Sequence, residues 1–368
     1  MGDASKLERV LAALEHRPVD RVPAFLLGAD FSFYRTFLEQ GGFDPEQFAR
    51  FVADGVLQTP PVNHALAVAL GFDCDWMTVP SLVHFEPEER QLVDTWGAKL
   101  ELAVQPDGTP HQWFVGPHLD TPEKIRDWWD RGRPEGYPKI LFGPIAKRRR
   151  VLLEKYDGFL TFVGLAGPFE CCVFGIGLAQ FAKFARHDPA FLREVLERNF
   201  EVQERGLKKL LQSKPPVVMC GDDYGFNEGL QCSATHWRQF VKPVLAKYVE
   251  VVHSAGAKFV LHSCGNIGEI FPDFVELGID GVESLQPGIN DLPHLKRKFG
   301  DRLAILGTID DTDLLVNGTP AQVRERVAEQ VRSLGRGGGY LPGPTNFLLN
   351  AKVENVRAMV EAIHSTRP

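Results

Sequence analysis

The chain has 368 residues, 44% hydrophobic and 24% charged, with 41 Lys and Arg against 48 Asp and Glu for a formal charge of −7. This composition is globular and excludes a disordered, collagenous or low-complexity chain, and the length requires two ordinary domains or one large barrel. Mild acidity supplies no field for a phosphate backbone, so nucleic acid is not an expected partner, and no apolar run reaches the ~20 residues of a membrane span. The start lacks a secretory core, so the expected location is cytoplasmic, with the six cysteines as reduced thiols. The one dense basic run, Lys147 to Arg150, has helical spacing and reads as a solvated helix face.

In chain order, Leu7, Val10, Leu11 and Leu14 share one helical face over 5–15, and Pro18 ends it. Val22 to Phe31 reads as a buried strand, helices follow near 44–54 and 63–70, and a second strand runs from Phe72 to Val79 before Pro80. Over 83–116 short alternating runs with a turn at Gln105-Pro106-Asp107-Gly108 predict a small antiparallel insertion. Helices are expected near 122–131 and 142–156. Six apolar runs then alternate with helical stretches: Phe159–Leu165, Val217–Cys220, Lys258–His262, Gly281–Leu285, Leu303–Leu306 and Gly338–Leu341. With the two early strands this makes eight, and strand–helix alternation implies a parallel sheet. Eight units fit an α/β fold closed as a single (β/α)8 TIM barrel, with an N-terminal helical extension, over 1–368. An open dinucleotide-binding sheet is the rival, but no G-x-G-x-x-G follows the first strand.

A barrel of this kind carries its chemistry just after each strand. Those positions are polar here: Asp30 after the first strand, Asp73 and Asp75 in the second, Glu170 with Cys171 and Cys172 after the third. Cys220, Asp222, Asp223 and Tyr224 follow at the fourth, His262 and Cys264 at the fifth, Glu283 and Gln286 at the sixth, and Asn346 after the last. Residues two apart in an extended segment point to one side, so His262 and Cys264 share a face at the mouth. Imidazole and thiolate suit zinc, although a packed cysteine beside a hydrogen-bonded histidine fits the same spacing. Asp222 and Asp223 can take a proton, ligate a metal, orient a ligand's amine or cap a helix, and Glu170, after a Gly-Pro turn, reads either as a functional acid or as a surface loop acid. Asp30 and Asp75 can likewise hold a ligand or cap a turn. The adjacent Cys171 and Cys172 read as core packing at a helix start.

The strand ends are similar to those of the uroporphyrinogen decarboxylase superfamily. Gly221-Asp222-Asp223, Ser233 opening a helix that runs to Pro243, and Ala255-Gly256-Ala257-Lys258 leading into His262-Ser263-Cys264-Gly265-Asn266 carry the resemblance. Asp20-Arg21-Val22-Pro23, Leu70-Gly71-Phe72-Asp73, Asp94-Thr95-Trp96-Gly97, Gly167-Pro168-Phe169 and Glu354-Asn355-Val356-Arg357-Ala358-Met359-Val360 extend it over nearly the whole chain. The superfamily implies a (β/α)8 cleft and two chemistries. Its haem-pathway decarboxylases hold a many-carboxylate substrate with an arginine-rich N-terminal stretch, and this chain has Phe25-Leu26-Leu27-Gly28-Ala29-Asp30-Phe31 there, an acid where cations are needed.

The other branch, corrinoid-dependent methyltransferases, implies zinc held by a His-x-Cys pair and a later cysteine. His262 and Cys264 match the pair, but no cysteine follows Cys264, so Asp222, Glu283 or Cys220 is the expected completion. The resemblance therefore implies a zinc-assisted methyltransferase acting between a small methyl donor, such as an aryl methyl ether or methylamine, and a corrinoid. His262, Cys264, Glu283 and Cys220 would be metal ligands, Asp222, Asp223 and Glu170 catalytic, and Asp30, Asp75, Tyr224, Gln286 and Asn346 substrate-binding. No Asp-x-His-x-x-Gly corrinoid pattern occurs, so the cobalamin is expected from a separate corrinoid protein or free in solution. The resemblance alone adds a homodimer. A metal-free lyase on a smaller carboxylic acid, with Asp73, Asp75 or Asp222 against a cationic ring, and a tetrapyrrole- or corrinoid-binding protein are the alternatives.

Overall fold

The structure, a computed structural model, describes residues 4–57, 64–78, 83–86, 90–104, 110–130 and 139–368. Among these residues twelve strands make two sheets, numbered here in chain order. β1 (Phe25–Leu26) and β2 (Cys74–Thr78) begin an eight-stranded parallel sheet. After β2 come β3 (Val83–Glu86), β4 (Gln91–Asp94), β5 (Ala98–Val104) and β6 (Pro110–Pro117), which pair in that order as a separate antiparallel sheet. The first sheet resumes with β7 (Leu160–Ala166), β8 (Val217–Gly221), β9 (Lys258–His262), β10 (Gly281–Glu283), β11 (Ala304–Leu306) and β12 (Tyr340–Leu341). The expected α/β barrel and its antiparallel excursion are both present.

Closure occurs between β12 and β1. The Phe25 N–H donates to Pro342 O at 2.9 Å, and a Cβ added at Gly343 would lie 1.9 Å from Phe25 O, so only glycine permits that approach. Parity then sorts the side chains. Phe25, Cys74, Phe162, Met219, Val260 and Leu306 fill the interior, whereas Val163, Val218, Cys220, Leu261, Val282 and Ile305 face the helices. The interior is thus packed rather than open, as such barrels require. Helix Lys6–Leu14 seals the amino ends of the strands with Val10, Ala13 and Leu14, and a Ser5/Glu8 capping box starts it.

The structure departs from the expected elements for identifiable reasons. β1 is far shorter than 22–31 because Asp30 accepts from Phe33 N at 2.9 Å and starts a helix, Phe31–Glu39, inside the expected strand. Pro243 has no N–H to give, and the helix that Ser233 opens widens to a π turn at Trp237–Val241 just before it. Arg149, expected on a solvated face, is buried and donates to Ser213 Oγ at 3.1 Å. The turn at 105–108 and the pair Val79 and Pro80 lie outside the described residues. No helix among the described residues is long and apolar enough to cross a membrane.

Candidate metal centre

At the carboxyl end of β9 the period-two alternation turns His262 inward with Lys258 and Val260, and the chain leaves the strand extended, carrying Cys264 to the same side. The loops after β8 and β9 then press together. A Cβ at Gly265, whose φ is +82°, would meet Gly225 backbone atoms at 2.3 to 2.8 Å. That contact brings Asp223 beside Cys264, and Asp223 Oδ1 accepts from the Cys264 N–H at 2.7 Å. His262 Nε2 lies 3.6 Å from Cys264 Sγ and 3.5 Å from Asp223 Oδ1, and donor atoms of the three residues fall within 4.8 Å of one another.

This donor set fits zinc. Bonds of ~2.3 Å to sulfur and ~2.0 Å to nitrogen, opened to a tetrahedral angle, put the two atoms about 3.5 Å apart. The His262–Cys264 separation matches that span without rearrangement.

The neighbours of the three donors hold them rather than join them. Glu283, expected as a ligand, instead pairs with His262 Nδ1, the nitrogen directed away from Cys264, so it fixes the ring's orientation and tautomer. Burial works against the charged imidazole, yet Glu283 and the Cys264 sulfur outweigh it and hold His262 well above the usual histidine range. Burial also raises the Glu283 carboxyl, against the pull of His262. Cys220, the other expected ligand, lies on the helix-facing side of β8 with Val218, buried and on the wrong face for the mouth. Asp223, expected as a catalytic acid, is the residue that completes the cluster.

Cys264 Sγ also meets Ser284 Oγ at 3.2 Å, and Ser284, held at φ +73°, donates to Thr345 O at 2.7 Å. Asn346 Nδ2 approaches the same sulfur at 3.7 Å. The Trp76 indole stacks on the His262 ring with centroids 6.5 Å apart and planes 8° apart, and Phe347 packs edge-on against Trp76. Sequence reasoning missed Trp76, Ser284 and Phe347. The parity of β2, which turns Trp76 inward with Cys74, was a usable signal for the first; nothing local marks Ser284, whose role depends on two distant strands.

The remaining candidates divide. Asp222 is fully buried and accepts from Glu170 N at 2.7 Å and Phe169 N at 3.1 Å, capping helix Pro168–Ile176. Burial outweighs those donors and pushes its carboxyl up to about 7. Glu170, in the first turn of that helix, is raised well above the usual carboxylate range by burial, then by Asp223 and Asp222. Asp75 is not at the mouth: it points outward and binds His64 Nδ1 at 2.5 Å beneath a helix. Tyr224 is likewise buried, its ring against Phe169, Trp237 and Phe274. Asp30 stands on the rim with its oxygens engaged by Ser32 and Phe33, and Gln286 Oε1 accepts from Gly265 N at 2.8 Å, steadying the loop that carries Cys264.

Comparison with known proteins adds to this geometry. The family described as Uroporphyrinogen decarboxylase (URO-D) matches residues 113–366. A methylated-thiol–coenzyme M methyltransferase of Methanosarcina mazei is 26% identical over 275 residues, covering 73% of this chain and 68% of that protein. A methylcobamide:CoM methyltransferase of the same organism is 24% identical over 375 residues, the full length of both. Among solved structures, a methyltransferase from Methanosarcina mazei superposes with a TM-score of 0.67 at 20% identity, covering 98% of this chain and 99% of that one, which shows a shared fold.

Proposed function

The chain belongs to the uroporphyrinogen decarboxylase family, and from that premise we propose that it is a methyltransferase moving a methyl group between a small methyl donor and a corrinoid, assisted by zinc. The observation that carries the reading is the convergence of His262, Cys264 and Asp223 within 4.8 Å at the mouth of the barrel. Similarity to a methylcobamide:CoM methyltransferase over the full chain supports the corrinoid. The corrinoid itself comes from a separate protein or from solution.

Zinc bound by these three residues supplies a Lewis acid toward the donor's heteroatom. One thiolate with a carboxylate and an imidazole is a harder set than paired thiolates, which favours an aryl methyl ether or a methylamine over a thioether. The chain's own groups do the rest. Glu283 fixes the His262 ring, Trp76 lies parallel to the ring with Phe347 against its own edge, and Asn346 stands beside the sulfur. When the methyl group departs as a cation equivalent, the electron pair of the broken bond stays on the heteroatom, which then needs a proton. Glu170, whose carboxyl is raised well above the usual range by burial and then by Asp223 and Asp222, is assigned that proton in this reading.

Elemental analysis should find near-stoichiometric zinc, lost on His262→Ala or Cys264→Ser. Reduced cobalamin should change its visible spectrum when the protein is mixed with methoxylated aromatics or methylamines. Full activity in both variants without metal would end the proposal. Membership of a decarboxylase family favours a second reading, a metal-free lyase acting on a smaller carboxylic acid. Carbon dioxide release from such acids by zinc-free protein would support it instead.

A further inference from the structure

We propose that the inserted antiparallel sheet is the platform on which the corrinoid-carrying protein docks; this rests on the methyltransferase reading above. Registered pairing puts Phe85, Leu92, Leu100 and Phe114 opposite one another in a continuous row across β3 to β6. Leu102 and Val104 extend the row along β5. Leu100 is buried, but Phe85 is 56%, Leu102 66%, Val104 73% and Phe114 49% exposed. One face of a sheet left this apolar and this open marks an interaction surface rather than scattered surface residues.

The position of the sheet says what covers it. β3 follows the carboxyl end of β2, and all eight barrel strands are parallel, so the sheet stands at the mouth end. Helix Pro168–Ile176 joins it to the metal centre: Glu170 and Phe174 lie four residues apart on one helix face, and Phe174 meets Phe114 at 5.3 Å. The interior below is filled by Phe25, Phe162, Met219 and Leu306, so a corrin macrocycle cannot enter the barrel and meets the metal centre only across its mouth, beside the sheet on which a carrier would rest. A second copy of this chain fits the face less well. It would bring another formal charge of −7 toward the first.

The test is the pair Leu102→Glu and Val104→Lys, made together at exposed positions and checked for native circular dichroism. Two acceptors are compared: free reduced cobalamin, and the corrinoid protein purified from the source cells by its corrin absorption. The expected result is an unchanged rate with free cobalamin and a rise of about tenfold in KM for the carrier, the scale of an interface anchor lost. Unchanged KM for the carrier overturns the proposal and leaves the methyltransferase reading intact. Absence of methyl transfer to either acceptor by the wild-type protein overturns both. A concentration-dependent dimer in sedimentation, abolished by the two substitutions, overturns the proposal in favour of a second copy.

Discussion

Glu283 shows how one side chain can be assigned only by its partner atom. Next to a His-x-Cys pair a strand-end glutamate reads as a ligand, but here it holds the ring nitrogen that points away from the sulfur. In the proposed zinc site its contribution is therefore indirect, through ring orientation and basicity. Glu283→Gln should weaken zinc by about 10- to 100-fold while leaving the stoichiometry at one, measured by competition with a chromophoric chelator. Loss of stoichiometric binding would instead return Glu283 to the ligand set. Cys220 makes the complementary point. It is separated from Asp223 by three positions, and the alternation of β8 is enough to send its thiol to the helix side, a parity that could have been read from Val217 and Met219.

Among the elements, helix Pro168–Ile176 does most to shape the site. Its Gly167 start offers no side-chain cap, and Asp222 from the neighbouring loop takes that role. The cap is confined: a Cβ at Gly167 would come within 2.2 Å of Asp222 side-chain atoms. Burial raises the Asp222 pKa to about 7 from 3.8, so the folded state binds a proton that the unfolded state has released between those values. The carboxyl's contribution is then fully present below about pH 4 and declines as pH rises through 7. The stability difference between wild type and Asp222→Asn, from urea midpoints, should shrink from pH 4.5 to pH 8; a constant or growing difference would contradict this. No periodicity in the sequence announced the cap, because donor and acceptor lie some fifty positions apart and meet only through adjacent barrel strands.

For the whole molecule, the seal at the amino end of the barrel matters most. Asp73, fully buried, receives Arg21 at 2.7 Å, Arg9 at 3.0 Å and the Ala24 N–H at 2.8 Å. Burial alone would raise this carboxyl, but His364, Arg21 and Ala24 outweigh it and hold it well below the usual range. One carboxylate thus ties the N-terminal helix, the entry to β1, the start of β2 and helix Val353–Ser365. Asp73→Asn removes the carboxylate that Arg21 pairs with and leaves Arg9 to Asp20 alone, and should cost about 3 kcal/mol in urea unfolding. A loss under about 1 kcal/mol would mean the seal is held elsewhere. Because its folded pKa is lowered, the carboxylate's contribution is present above about pH 4 and fades as pH falls below that.

By itself the sequence determined the architecture: eight apolar runs alternating with periodic helices leave few ways to bury their faces, and the break in rhythm at 83–116 marked the inserted sheet. It also marked His262 and Cys264, whose convergence is a local matter of two residues on one extended face. Which third donor joins them, which carboxylates serve as caps and which aromatic covers the imidazole were decided only by tertiary structure. Those choices turn on the order and stagger of strands far apart in the chain, and on backbone contacts such as Gly225 against Gly265, for which linear spacing carries no signal.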